Sequence, residues 1–147
     1  MSCLLKINGD NLDIDTLLKS FKMEADHIWR KGEPKRVKYP HGPKNKWSGA
    51  RFTVSNADFH EFDKQIEDAT IFLKKYSTEI SHAVNCTEAT DVTLDFAIEF
   101  RDVAIHGDFL PSNFLKVVGE SGVEVLLPHY PCPEDEETVL LSCKSLE

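Results

Sequence analysis

Residues 92–100 read Val-Thr-Leu-Asp-Phe-Ala-Ile-Glu-Phe, so apolar and polar side chains alternate almost throughout. A period of two is the pattern of a half-buried β-strand, with one face toward a core and the other toward solvent. Upstream, apolar residues recur at helical spacing, at Phe59, Phe62, Ile66, Ala69, Phe72 or Leu73, and Tyr76. Ser55-Asn-Ala-Asp58 has the form of a capping box, so the pattern predicts a long helix over about 56–76.

Shorter signals on both sides of these two segments predict the remaining elements. Toward the N-terminus they are a strand at Leu4, Leu5 and Ile7 ending at Asn8-Gly9-Asp10, a short helix capped by Asp13, strands at 26–30 and 51–55, and an extended loop at 31–46. Toward the C-terminus they are a helix beginning at Pro111 and closed by Gly119 or Gly122, and a strand with Val123, Val125 and Leu127.

The predicted order is β-α-β-β-α-β-α-β. Alternating strands with few helices are typical of an α+β fold, in which an antiparallel or mixed sheet carries its helices mainly on one face. The length of 147 residues fits a single domain, assigned to residues 1–130. Residues 131–147 begin Pro-Cys-Pro-Glu-Asp-Glu-Glu and form an acidic C-terminal tail. Docking as an edge strand and mobility are both open alternatives for this tail.

The composition is that of a globular protein, with 41% hydrophobic residues and a net charge of −8. No apolar run reaches the roughly 18 residues that a membrane-spanning helix needs, and no secretory signal is visible at the N-terminus. The four cysteines, Cys3, Cys86, Cys132 and Cys143, are scattered, as expected for reduced thiols. We therefore expect a cytoplasmic protein without a membrane partner.

Three segments share motifs with a known family. They are Gly9-Asp-Asn-Leu-Asp13 with the short helix after it, Ile28-Trp-Arg-Lys-Gly-Glu33, and the Ser- and Trp-containing strand at 47–55. Together they resemble the bacterial family catalogued as domain of unknown function 4279, over about residues 3–130. The chain departs from that pattern at Ser48-Gly49-Ala50 and in its acidic tail. The resemblance implies a small bacterial α+β domain without an established activity. By analogy of class, some small acidic proteins of such families resemble immunity proteins that neutralise polymorphic or contact-dependent toxins.

Basic residues concentrate in one segment, 30–51, which holds eight of the 17 in the chain and a single acidic residue, Glu33. The eight are Arg30, Lys31, Lys35, Arg36, Lys38, Lys44, Lys46 and Arg51. Tyr39 and Trp47 lie among them, a mixture that can neutralise phosphates and stack bases. A solvated loop is the alternative interpretation. The candidates for partner binding here are Lys35, Arg36, Lys38 and Tyr39.

Acidic residues form two groups: Asp10, Asp13 and Asp15, and Glu134, Asp135, Glu136 and Glu137. Helix capping explains the first group and a solvated tail explains the second. The alternative is that both groups mimic a polyanion and fill a basic nuclease cleft.

His129 and Cys132 form one loose pair, whereas zinc sites show two tight pairs, so no metal or cofactor is expected.

The chain contains no nucleophile elbow, phosphate loop, dinucleotide fingerprint or His-Glu-x-x-His motif, so we expect a protein that is not an enzyme. The sequence predicts a toxin-neutralising immunity protein, which binds and occludes its cognate bacterial toxin. The toxin is expected to be basic. The alternative is a nucleic-acid-binding or regulatory module using residues 30–51, although an acidic protein repels a polyanion. An uncharacterised enzyme is a third alternative. The oligomeric state is not predicted.

Overall fold

The computed structural model describes residues 2–101, 103–105 and 107–131, and it confirms the predicted α+β class. Its strands are β1 (Cys3–Gly9), β2 (His27–Trp29), β3 (Ser48–Ser55), β4 (Asp91–Phe96), β5 (Ile98–Phe100), β6 (Glu124–Leu126) and β7 (His129–Pro131). Its helices are α1 (Ile14–Leu18), α2 (Phe62–Lys75), α3 (Ser77–Asn85) and α4 (Ser112–Ser121). Among the described residues, none of the helices has the length and apolar character needed to cross a membrane.

Five strands form one mixed sheet in the order β2-β3-β1-β4-β6. The central strand, β1, pairs antiparallel with both β3 and β4, and β2 pairs antiparallel with β3. At the other edge β6 runs parallel to β4, while β5 and β7 form a separate parallel pair. The first strand of the chain therefore brings together segments that lie about 45 and 90 residues further on.

One face of the sheet forms the core. In β1 the side chains of Cys3, Leu5 and Ile7 are buried, and the residues between them are half-buried. Helices α2 and α4 cover this face, where Phe62 and Phe114 both make edge-on contacts with Phe96 at ring-centroid distances of 5.7 and 5.9 Å. Aromatic pairs of this geometry contribute about 0.5–1.5 kcal/mol beyond the area they bury. The opposite face of the sheet carries polar side chains and is called the open face below.

The long helix begins later than the sequence predicts. It starts at Phe62, and the predicted capping box at residues 55–58 does not cap it. Ser55 is instead the last residue of β3, opposite Cys3, and its hydroxyl donates to Asp68 at 2.7 Å. The pairing with β1 holds Ser55 in the sheet, so the chain needs the segment 56–61 to reach the helix.

The alternating segment 92–100 is divided at Ala97 into β4 and β5. The N–H of Ala97 donates to the carbonyl of Ser2, and its own carbonyl accepts from the Gln65 side chain at 3.0 Å. Beyond this point the chain leaves β1, and β5 pairs with β7.

Two other details extend the predictions: α3 occupies the region after the long helix, and Gly122 closes α4 in the left-handed conformation, with φ of 71°.

Candidate functional site

The base of the cationic segment is neutralised within the chain. Arg30 donates from Nε and Nη2 to the two carboxylate oxygens of Asp15, at 2.8 and 2.7 Å, and Lys31 donates to Asp10 at 2.8 Å. The hydrogen bonds from Arg30 hold the pKa of Asp15 below its ordinary value. Two of the three acidic residues predicted to bind a partner are therefore paired with the two basic residues at the start of the segment.

The third acidic residue, Asp13, caps α1 as predicted. Its Oδ1 accepts from the backbone N–H of Thr16 at 3.1 Å, and its Oδ2 accepts from the Thr16 hydroxyl at 2.7 Å. These bonds lower the pKa of Asp13. Asp10, Asp13 and Asp15 thus all have partners of their own. Glu134, Asp135, Glu136 and Glu137 lie outside the described residues.

The predicted extended loop is an ordered two-stranded arm, here called the cationic arm (residues 32–47). Its two sides exchange backbone hydrogen bonds from Gly32 to Asn45 at 2.9 Å, from Asn45 to Glu33 at 2.8 Å, and from Lys35 to Pro43 at 2.9 Å. Gly32 has φ of +83°, a left-handed conformation that other residues adopt only with strain. The arm continues the β2–β3 hairpin beyond the ends of its two strands.

The tip of the arm is built from two consecutive turns. Tyr39 N–H donates to Arg36 O and Gly42 N–H donates to Tyr39 O, both at 2.9 Å. Val37 is 96% exposed and Tyr39 is 53% exposed. Lys38 lies 5.9 Å from the Tyr39 ring centroid. The hydrogen bonds of the two turns therefore fix the backbone that carries these exposed side chains.

The arm carries positive charge that the described residues do not compensate. Within the described part of the chain no ion pair joins the arm's basic residues, Lys35, Arg36, Lys38, Lys44 and Lys46, to a carboxylate. Lys35, Arg36, Lys38 and Tyr39, the predicted partner-binding candidates of this segment, therefore lie together on one accessible projection.

The open face carries a row of polar side chains across the strands. His27 on β2 lies opposite Arg51 on β3, which lies opposite Lys6 on β1. Lys6 forms an ion pair with Asp95 of β4. The Nε of Arg51 is buried and has no hydrogen-bond partner among the described residues. A buried donor without an acceptor is unfavourable by about 1–3 kcal/mol, so the missing hydrogen bond to this N–H lowers stability.

A cleft of about 410 Å³ lies where the open face meets the arm. It is lined by His27, Trp29, Lys35, Asn45, Lys46 and Trp47. The sequence reasoning missed this cleft, although a signal was present. Gly49 and Arg51 alternate along β3 and so share one of its faces, and Trp47, the residue before the strand, continues the same alternation.

Gly49 fixes the position of Trp29 in this cleft. A β-carbon at residue 49 would lie 2.4 Å from the Ile7 carbonyl oxygen and 2.6 Å from Cζ2 of Trp29. The indole therefore occupies the space that a side chain on Gly49 would need. The His27 ring lies beside it, with 5.8 Å between centroids and 30° between planes.

A second polar group surrounds Asp108. This carboxylate accepts from Arg101 at 2.6 Å and lies 2.7 Å from Nε2 of His129. Cys132, which forms a loose pair with His129 in the sequence, lies outside the described residues. In the described part of the chain no three His, Cys, Asp or Glu residues are grouped in a way that would hold a metal ion.

Comparisons with protein-family models, with curated proteins and with solved structures found no match to this chain. The resemblance to domain of unknown function 4279 remains a prediction from the sequence.

Proposed function

We propose that the chain is a protein-binding domain that occludes its partner stoichiometrically, as an immunity protein does with its toxin, and that the cationic arm makes the contact. The observation that carries this proposal is the tip of the arm. Val37 and Tyr39 are exposed there beside Arg36 and Lys38, whose charges have no counterpart within the described chain.

The arm has the properties of a preorganised contact element. Its cross-strand hydrogen bonds and the two turns at its tip fix the backbone before binding. Ordering a flexible loop opposes association, and a loop that is already ordered avoids most of this loss of entropy. Tyr and Arg are also the residue types that contribute most often to binding energy at interfaces.

The charge of the arm indicates an acidic contact surface on the partner. The sequence alone suggested a basic partner, on the strength of Asp10, Asp13, Asp15 and the tail. Because Asp10 and Asp15 are paired with Lys31 and Arg30, they offer little free negative charge for such a contact. An acidic cleft that receives the tip would gain the electrostatic complementarity that raises association rates.

A nucleic acid is the competing partner. Trp47 and Tyr39 beside lysines could stack bases, but a nucleic acid carries charge along its length and would meet the remaining surface of a chain with a net charge of −8. A protein can present its acidic residues to the arm alone. Inhibition of a toxin is the form of protein binding favoured by the small size, the absence of catalytic motifs and the family resemblance.

The gene of an immunity protein normally lies beside that of its toxin, so co-expression with the product of the adjacent gene tests the proposal. We expect the chain to restore growth of cells that produce the toxin. The double variant Arg36→Glu/Lys38→Glu should remain folded but should not restore growth. The matched control is Lys74→Glu/Lys116→Glu, which reverses two exposed charges on α2 and α4 and should protect as well as the wild type. Calorimetry should show at least tenfold weaker binding for the tip variant.

Two results would oppose the proposal. If the tip variant and the wild type protect equally, the arm is not the contact surface. If the chain binds no protein but binds single-stranded RNA or DNA with an affinity that falls steeply with salt, the nucleic-acid alternative is correct.

A further inference from the structure

We propose that the cleft between β2 and the base of the cationic arm is a binding site for an aromatic ring that carries phosphate, namely a nucleotide. This site is separate from the tip of the arm, and the inference does not depend on the identity of a protein partner. Its volume of about 410 Å³ lies within the range of small-molecule sites.

The walls of the cleft supply surfaces for stacking. Trp29 is held over Gly49 by the backbone of the sheet, with His27 beside it. Trp47 stands 49% exposed at the other side of the cleft. Indole and imidazole rings in fixed positions are the groups on which proteins stack nucleobases.

The rim supplies positive charge. Lys35 and Lys46 line the cleft and have no ion pair within the described residues. Lysine and arginine are the residues that proteins use to bind phosphate. A nucleotide that stacked on Trp29 or Trp47 would bring its phosphate within reach of these ammonium groups.

Arg51 adds positive charge beside the cleft, although it is not one of the residues that line it. Arg51 is the cross-strand partner of His27, so its side chain begins next to the stacking surface. Its buried Nε has no acceptor in the described part of the chain. The carboxylates nearest to it have partners of their own: Asp26 accepts from the backbone N–H of Thr53, Asp95 pairs with Lys6, and Asp91 accepts from Asn8 at 2.9 Å. Lys35 and Lys46 at the rim are therefore the groups expected to hold the phosphate.

The two tryptophans make the test direct, because they are the only ones in the chain and both line the cleft. Tryptophan fluorescence is measured during titration with adenosine monophosphate, adenosine, ribose 5-phosphate and a short single-stranded oligoadenylate. We expect adenosine monophosphate to quench the fluorescence saturably, and adenosine and ribose 5-phosphate to bind at least tenfold more weakly. Tight binding of the oligoadenylate with weak binding of the monophosphate would identify a single-stranded nucleic acid as the source of the nucleotide, and the reverse would identify the free nucleotide.

Variants of the cleft locate the binding. By calorimetry, Trp47→Ala and Lys46→Glu should each weaken adenosine monophosphate binding about tenfold or more, whereas Lys116→Glu on α4 should leave it unchanged. Both cleft residues are exposed at least in part, so their replacement should not unfold the chain. Three results would overturn the proposal: no saturable binding of either adenylate at millimolar concentration, equal binding of ribose 5-phosphate and the monophosphate, or equal binding by the cleft variants and the wild type.

Discussion

Replacing Gly49 by alanine is expected to destabilise the fold strongly. The added β-carbon would lie 2.4 Å from the Ile7 carbonyl oxygen, 2.6 Å from Cζ2 of Trp29 and 2.7 Å from Oδ1 of Asn8. Favourable contacts begin near 3.5 Å, so the surrounding groups must move by roughly 1 Å. The nearest of them is a backbone oxygen of the central strand, which cannot move without disturbing its pairing with β3.

The magnitude follows from comparable overpacked sites. Added carbon atoms in a tightly packed region lower the free energy of unfolding by about 1–3 kcal/mol. The loss of glycine's freedom in the unfolded chain returns about 0.4–1 kcal/mol. Because backbone is involved, we expect the upper part of this range, a net loss of about 2 kcal/mol. In a chain of this size that corresponds to a decrease in Tm of roughly 4–8 °C.

Urea denaturation provides the assay, and the chain offers a matched control. Gly119 lies inside α4, and a β-carbon there would meet no atom within 4 Å. Gly119→Ala should therefore raise the stability by about 0.5–1 kcal/mol, since alanine favours the helix. If Gly49→Ala unfolds at the same urea concentration as the wild type, the described packing of Trp29 on β3 is incorrect.

Three further changes test other parts of the structure by the same denaturation assay. Gly122→Ala should lower stability by about 1–2 kcal/mol, because φ is 71° at this position and the new carbon lies 3.1 Å from Val84 Cγ1; an unchanged midpoint would argue against the left-handed cap. Gln65→Leu removes the donor from the main-chain carbonyls of Asp58 and Ala97 but also removes a buried Oε1 that has no partner among the described residues, so it should lower stability by about 1 kcal/mol, whereas a neutral effect would mean that these bonds are not made. The pKa of Asp15 is lowered from 3.8 by Arg30, so its contribution is complete above about pH 4 and is lost as the pH falls through the lowered pKa. Asp15→Asn should therefore lower stability at pH 7 and reduce the loss of stability on acidification. An equal loss of stability on acidification in the variant and the wild type would contradict this.

The elements that the sequence predicts well are those with local signals. Asp13 caps α1 through a residue three positions away, and Gly122 closes α4 through its own φ angle. The start of α2 was predicted wrongly because the competing interaction is distant: Ser55 pairs with Cys3, 52 residues earlier. Ala97 ends β4 for a similar reason, since its N–H donates to Ser2 at the far end of the chain.

The same distinction applies to the candidate sites. The sequence identified Lys35, Arg36, Lys38 and Tyr39 as possible contact residues, because clustering along the chain is visible without a structure. It did not predict the pairing of Arg30 with Asp15, which depends on how the β2–β3 hairpin lies against α1. It also did not predict the order of the arm, which depends on backbone hydrogen bonds between its two sides. The cleft likewise forms only when β2–β3 pairing brings residues 27–29 beside 45–47.

The proposal that the tip of the arm is the contact surface is tested most directly at Val37. This side chain is 96% exposed, so Val37→Asp should leave the urea midpoint unchanged. It also places a negative charge and a polar group where an apolar contact with an acidic surface is proposed. In a calorimetric titration with the purified product of the adjacent gene, we expect the variant to bind at least tenfold more weakly than the wild type. Equal affinity of the variant and the wild type would contradict the account.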